Sequence, residues 1–99
     1  MSIKKVIIKR QEDKYQWSQT EETLSIFMPM KNVLMKHIDV MIARDFLKVN
    51  ATTIKYINVI DFSAEINFEH QQNKITLLDE KLEVHLFKAV HGIWDSITV

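Results

Sequence analysis

Apolar and polar side chains alternate along four short stretches of this 99-residue chain. In one of them Leu24, Ile26 and Met28 alternate with the residues between them, including Phe27. A period of two places one set of side chains on a buried face and the other on a solvated face, as in an antiparallel sheet. The sequence therefore predicts strands within residues 24–29, 47–51, 62–68 and 81–87.

Clusters of polar and turn-forming residues separate these stretches. They lie at 20–22, 30–32, 44–45, 70–73 and 78–80. Thirteen Ile, eight Val and six Thr also favour strands, since β-branched side chains are stiff and pack well on a pleated surface. Several short strands at this spacing indicate a β-sandwich or a barrel.

The segment 32–46 fits two patterns. A helix could begin at Asn32 as its N-cap. Its apolar stripe would consist of Leu34, Ile38, Met41 and Ile42. A strand would instead bury positions 38, 40 and 42. Periodicity does not decide between the two, although the short gap to the stretch that begins at Phe46 favours a hairpin.

Composition narrows the possible functions. Apolar residues make up 46% and charged residues 26% of the chain, as in ordinary globular domains. Thirteen basic and thirteen acidic side chains cancel, which disfavours a nucleic-acid partner. The absence of cysteine excludes disulfides and thiolate sites, and no apolar run approaches the roughly 18–20 residues that span a membrane. We therefore expect one cytoplasmic domain with neither nucleic acid nor membrane as partner.

No pattern of catalytic or ligand-binding residues emerges. Gly92 is the single glycine, so the chain lacks the glycine-rich loops that cradle phosphates. The four histidines lack the spacing to carboxylates that a metal site shows. We expect no catalytic residues, no metal, no cofactor and no enzymatic activity.

Several motifs follow one another in a familiar order. An aromatic-x-Trp-x-Gln motif begins at Tyr15, and an alternating strand then ends in a turn at Pro29. Next come a Leu-Lys-Val strand at 46–50, a lysine-containing hairpin at 78–88 and a closing Trp94. In this order and spacing, residues 15–99 resemble the CS domain shared by Hsp90 co-chaperones of the p23 and Sgt1 type. Residues 1–14 then form a leader or an added edge strand.

The resemblance implies an all-β fold, a compact antiparallel β-sandwich of about seven strands, and so favours the strand for 32–46. Within the family, the nearest resemblance is to the N-terminal CS domain of the dyslexia-associated axonemal dynein assembly factor. That protein also carries tetratricopeptide repeats, so we expect this chain to be a fragment or a short relative. The family's usual hairpin glycine is replaced by Glu80, which implies a turn of a different construction.

The resemblance also implies an interaction site. CS domains of the Sgt1 type use a Lys-x-Glu pair to contact the N-terminal domain of Hsp90, and Lys81 and Glu83 match that pair. An aromatic residue on the second strand corresponds to Phe27, a large apolar group on the polar side of its strand. We expect Trp17 and Trp94 to close the ends of the sandwich, since an indole buries a large area.

The resemblance therefore implies a non-enzymatic co-chaperone module that binds Hsp90 or co-chaperones through Phe27, Lys81 and Glu83. Its expected role is cytoplasmic pre-assembly of axonemal dynein for motile cilia, with dynein assembly factors as further partners. The alternative is a scaffold domain that binds a client or another assembly factor without direct contact with Hsp90.

Overall fold

The structure, a computed structural model, describes residues 15–99 as two antiparallel sheets. Its seven strands are β1 (Gln16–Gln19), β2 (Thr23–Pro29), β3 (Ile38–Ile42), β4 (Phe46–Ala51), β5 (Tyr56–Asp61), β6 (Lys74–Leu77) and β7 (Lys81–Phe87). One sheet has the order β1-β2-β7-β6 and the other has the order β3-β4-β5. The predicted all-β fold with seven antiparallel strands is confirmed. The leader or edge strand predicted for 1–14 lies outside the described residues.

The inner faces of the two sheets form the hydrophobic core. Three fully buried residues of β2, among them Leu24 and Ile26, lie opposite three of β7, among them Val84 and Leu86. Across the sandwich, Leu47 and the other inward residues of β4 are equally buried. Burying one such aliphatic side chain contributes about 1.5–3 kcal/mol, so this alternation accounts for the pairing of the two layers. The strands predicted from it in β2, β4 and β7 are confirmed.

The segment 32–46 contains a strand. A single 3₁₀ turn at Met35–His37 leads directly into β3, and no longer helix forms there. Ile38 is buried, and Val40 and Ile42 pack against the core. The strand that the resemblance favoured is therefore confirmed.

The strand predicted within residues 62–68 is wrong. The segment forms only two isolated bridges, from Phe62 to Thr98 and from Ile66 to Lys88. Phe62 and Ile66 are buried, but Ala64 and Phe68 are exposed, so alternation does not continue along one face. The strand of this region is β5, which ends just before Phe62 and which the alternation of apolar and polar residues did not predict.

The β6–β7 hairpin turns without a left-handed residue. The backbone N–H of Leu78 donates to the carbonyl of Lys81 at 2.8 Å, which leaves Asp79 and Glu80 as the two central residues. Neither has a positive φ, whereas short hairpin turns usually use glycine for that purpose. The N–H of Met30 donates to the Glu80 carbonyl at 2.9 Å and ties the turn to the end of β2. The turn is thus of a different construction, as expected.

The C-terminal residues close one end of the sandwich. Ile97 is buried, and its carbonyl accepts a hydrogen bond from the N–H of Ser63 at 2.9 Å. The Trp94 ring packs against Phe62, with centroids 5.8 Å apart. Trp17 and Trp94 both pack against the core, as expected of residues that close a sandwich. Within residues 15–99, no helix is long and apolar enough to cross a membrane.

The unequal burial of residues 62–68 leads to a stability prediction. Ile66→Ala should lower the free energy of unfolding by about 2–4 kcal/mol, because Ile66 is 1% exposed and its truncation leaves a cavity. Phe68→Ala removes a larger side chain that is 45% exposed, and it should cost less than about 1 kcal/mol. Urea unfolding measures both. Equal losses would contradict the described path of this segment.

Candidate protein-interaction surface

The outer face of the four-stranded sheet carries the three residues that the sequence singled out. Phe27 on β2 lies directly opposite Glu83 on β7, and Pro29 lies opposite Lys81. Directly opposite residues of an antiparallel pair point to the same side of the sheet. The flanking strands continue the Phe27–Glu83 row, with Gln16 on β1 and Thr76 on β6. We call this outer side of β1-β2-β7-β6 the Phe27 face.

Phe27, Lys81 and Glu83 form one contact group. The Lys81 Nζ lies 3.6 Å from the Glu83 Oε2 and 5.0 Å from the centroid of the Phe27 ring. The side chains of Lys81 and Glu83 are 45% and 35% exposed, and Phe27 is half-buried. An exposed ion pair contributes only about 0–1 kcal/mol and an exposed cation–π contact about 0.5–1 kcal/mol. The group therefore holds two opposite charges beside an apolar ring without a large part in stability.

This arrangement suits recognition of a protein surface. A half-exposed aromatic ring can enter a pocket of a partner, and aromatic side chains are enriched among the residues that dominate binding energy. A lysine and a glutamate beside the ring can each meet a complementary charge, which fixes the orientation of the partner.

A second aromatic group lies further along the Phe27 face. The His70 ring stacks on Phe87, with centroids 3.9 Å apart and planes 3° apart, and His85 meets Phe87 edge-on at 6.0 Å. The Ser25 hydroxyl and the His85 Nδ1 are 2.8 Å apart. The sequence indicated that His85 and Phe87 continue the row of Lys81 and Glu83. The approach of His70 was missed, because a turn residue carries no periodic signal for the direction of its side chain.

Residues 15–99 contain no group of three or more His, Asp or Glu side chains placed to hold a metal ion. The depressions beside the β6–β7 hairpin are open to solvent, including one lined by Leu77, Leu78 and Lys81. This part of the described surface thus offers open area of the kind that a macromolecular contact uses.

Comparison with protein families matches residues 13–88 to the CS domain. The chain belongs to the CS domain family. CS domains are protein-interaction modules with the p23-like fold. The match covers all seven strands and ends at Lys88.

Two solved structures share the fold of this CS domain. The nuclear movement protein from E. cuniculi GB-M1 matches with a TM-score of 0.72 and 18% identity, over 87% of this chain and 99% of that one. The CS and b5R domains of human Ncb5or, in the NAD+ form, match with a TM-score of 0.71 and 23% identity. That second match covers 86% of this chain but only 25% of the other. No curated protein matches in sequence.

The motifs that suggested the family meet at one buried lysine of the CS domain. Lys88 is 4% exposed, and its Nζ donates to the Gln19 Oε1 at 2.8 Å and to the carbonyls of Thr20 and Gly92 at 2.6 and 2.5 Å. The same Nζ lies 5.5 Å from the centroid of the Trp94 ring. Burial lowers the pKa of Lys88 below its ordinary value, and the Glu21 carboxylate opposes that shift.

Gln19 completes this arrangement from the first strand. Its Oε1 also accepts the backbone N–H of Trp94 at 2.9 Å, and its Nε2 donates to the Trp94 carbonyl at 2.9 Å. One side chain therefore satisfies both backbone groups of Trp94 and one proton of the Lys88 ammonium. The sequence identified Gln19, Lys88 and Trp94 as parts of separate motifs, and it did not predict that they touch. We call these three residues the Gln19–Lys88–Trp94 lock.

The lock leads to a prediction with a matched control on the same strand. Gln19→Ala should lower the free energy of unfolding by about 2–3 kcal/mol, because it removes a partner of a buried charge and both partners of the Trp94 backbone. Gln16→Ala, at an exposed position of β1, should cost less than about 0.5 kcal/mol. Thermal and urea unfolding measure the difference. A loss at Gln19 no larger than that at Gln16 would contradict this role of the lock.

Proposed function

We propose that this CS domain is a non-enzymatic module that binds the N-terminal domain of Hsp90, or a co-chaperone, through the Phe27 face. The contact group of Phe27, Lys81 and Glu83 is the observation that carries the proposal. The same three positions match the residues that Sgt1-type CS domains use against Hsp90. The sequence resemblance and the geometry of the contact group therefore both support the Phe27 face as the binding surface.

In the proposed mechanism, Phe27 provides the apolar anchor and the two charges set the register of the partner. The Lys81 Nζ lies 5.0 Å from the centroid of the Phe27 ring. A partner that binds the ring can therefore also place an acidic group beside Lys81. Both charged side chains remain partly exposed, which lets them exchange their mutual pair for charges of the partner at little cost in desolvation. Such a contact is modest in strength and suits a reversible co-chaperone interaction.

The proposed role in dynein assembly rests on sequence resemblance alone. The motifs of residues 15–99 resemble those of the dyslexia-associated axonemal dynein assembly factor, and this supports a role in cytoplasmic pre-assembly of axonemal dynein. A scaffold that binds a client or another assembly factor would use the domain differently. Calorimetry with the separated Hsp90 domains distinguishes the two, because the scaffold requires no binding to any of them.

Reversal of the Lys81 charge tests the proposed face. Lys81→Glu places two carboxylates beside Phe27 and should weaken binding to the Hsp90 N-terminal domain about tenfold, or about 1–2 kcal/mol. Lys48→Glu makes the same charge change on the outer side of the other sheet and should leave this affinity unchanged. Isothermal titration calorimetry provides both values. Equal effects of the two reversals would exclude a specific role of the Phe27 face.

Truncation of the ring separates binding from stability. Phe27→Ala should weaken the same interaction at least tenfold, because the apolar anchor is lost. Its free energy of unfolding should fall by no more than about 1 kcal/mol, since the ring lies on the outer side of the sheet. Thermal unfolding is the control measurement. Unchanged affinity in a folded Phe27→Ala variant would contradict the proposal.

A further inference from the structure

The outer edge of β3 has backbone groups available for another strand. Among the described residues β3 pairs only with β4. The N–H of Ala43 donates to the Phe46 carbonyl, so 43 and 46 form a hydrogen-bonded pair of this ladder. Because such pairs alternate along an antiparallel ladder, the N–H and C=O groups of Val40 and Ile42 point away from β4. An unpaired row of this kind is a template for an added strand.

Exposed apolar side chains cluster on and beside this strand. Met41, on the outer side of β3, is 56% exposed, and Leu34 and Met35, just before it, are 57% and 44% exposed. Ile54, 41% exposed, lies in the 3₁₀ turn that follows β4. That turn is held at the same end of the sheet, since the Thr52 hydroxyl donates to the His37 carbonyl at 3.3 Å.

A depression on the outer side of β3 and β4 accompanies these residues. It is lined by Asp39, Val40, Met41, Lys48 and Asn50. The edge therefore offers apolar contact in addition to backbone pairing.

Charge is distributed unevenly along the described chain. Basic side chains in residues 30–60 are Lys31, Lys36, Arg44, Lys48 and Lys55, and the acidic ones are Asp39 and Asp45. Residues 61–99, in contrast, carry seven acidic and three basic side chains. Lys36 precedes β3, Arg44 follows it, and Lys48 lies opposite Met41. The region of β3 is thus the basic part of the described chain.

We propose that the β3 edge is a second binding site, which accepts an extended acidic segment of a partner protein as an added antiparallel or parallel strand. The segment would alternate carboxylate and apolar side chains. It would pair its backbone with Val40 and Ile42. This site lies on the sheet opposite to the Phe27 face and is independent of binding there.

The spacing of a sheet allows the charges to meet. Neighbouring strands lie about 4.8 Å apart, so a residue added beside Met41 lies about 10 Å from Lys48 across β3. A glutamate and a lysine together span that distance over the Met41 side chain. Lys36 and Arg44 add complementary charge at the two ends of the strand.

The same charges select among occupants of the edge. Two copies of this basic edge repel each other, which disfavours pairing between copies of the chain. The first fourteen residues carry five basic and two acidic side chains and are not complementary to it either. An acidic segment, in contrast, is attracted electrostatically by each basic side chain around β3.

A titration of the full, isotope-labelled chain tests the proposal. The probe is a synthetic peptide of strand length in which glutamate alternates with valine. Its controls are a version with lysine for glutamate, a version of scrambled order, and a version N-methylated at alternate residues. We expect binding of the alternating acidic peptide alone, with the largest amide shifts at Val40 and Ile42. Lys48→Glu should weaken this binding about tenfold, Asp39→Asn should strengthen it several-fold, and Lys81→Glu should leave it unchanged.

Three results would overturn the proposal. The first is no binding of the acidic peptide at millimolar concentration. The second is equal binding of the N-methylated or scrambled versions, which would show attraction by charge without strand pairing. The third is binding with its shifts on β6 or β7, which would place the peptide on another surface. The affinity of Lys48→Glu for the Hsp90 N-terminal domain provides an independent reference, so failure here is distinguishable from failure of the proposed function.

Discussion

The register between β2 and β7 is the constraint on which the rest of this structure depends. It sets Ile26 against Val84 in the core and Phe27 against Glu83 on the outer side. A slip of β2 by one residue would turn each of its side chains to the opposite face, so Phe27 would enter the core and Leu24 and Ile26 would face solvent. The hydrophobic effect that forms the core therefore also assembles the contact group outside it.

The Gln19–Lys88–Trp94 lock joins the ends of β1 and β7. Lys88 follows β7 directly and Gln19 ends β1, so the buried ammonium connects the two strands that lie on either side of β2. The carbonyls of Thr20 and Gly92 bring the first turn and the C-terminal segment to the same point. Because a buried charge is costly unless it is fully hydrogen-bonded, this arrangement favours one geometry at this end of the sandwich.

The sequence predicted a strand correctly where one face of that strand is uniformly apolar, as in β2 and β7. It did not predict β5, because a polar residue takes one of the buried positions there: Asn58 points inward and donates to the Tyr56 hydroxyl. After β5 the sequence predicted a strand where the structure has a loop. The loop buries Phe62 and Ile66, so its pattern of apolar residues resembles that of a strand. The resemblance named Phe27, Lys81 and Glu83, but their contact depends on a cross-strand register that no local pattern specifies.

The central proposal is that this CS domain binds a chaperone through the Phe27 face. Chemical-shift mapping of the labelled chain with the unlabelled Hsp90 N-terminal domain tests it most directly. The account predicts that perturbed amides cluster on β2 and β7 around Phe27 and Glu83 and that those of β3, β4 and β5 stay in place. Perturbations confined to β3, β4 and β5, or none at saturating partner, would contradict it.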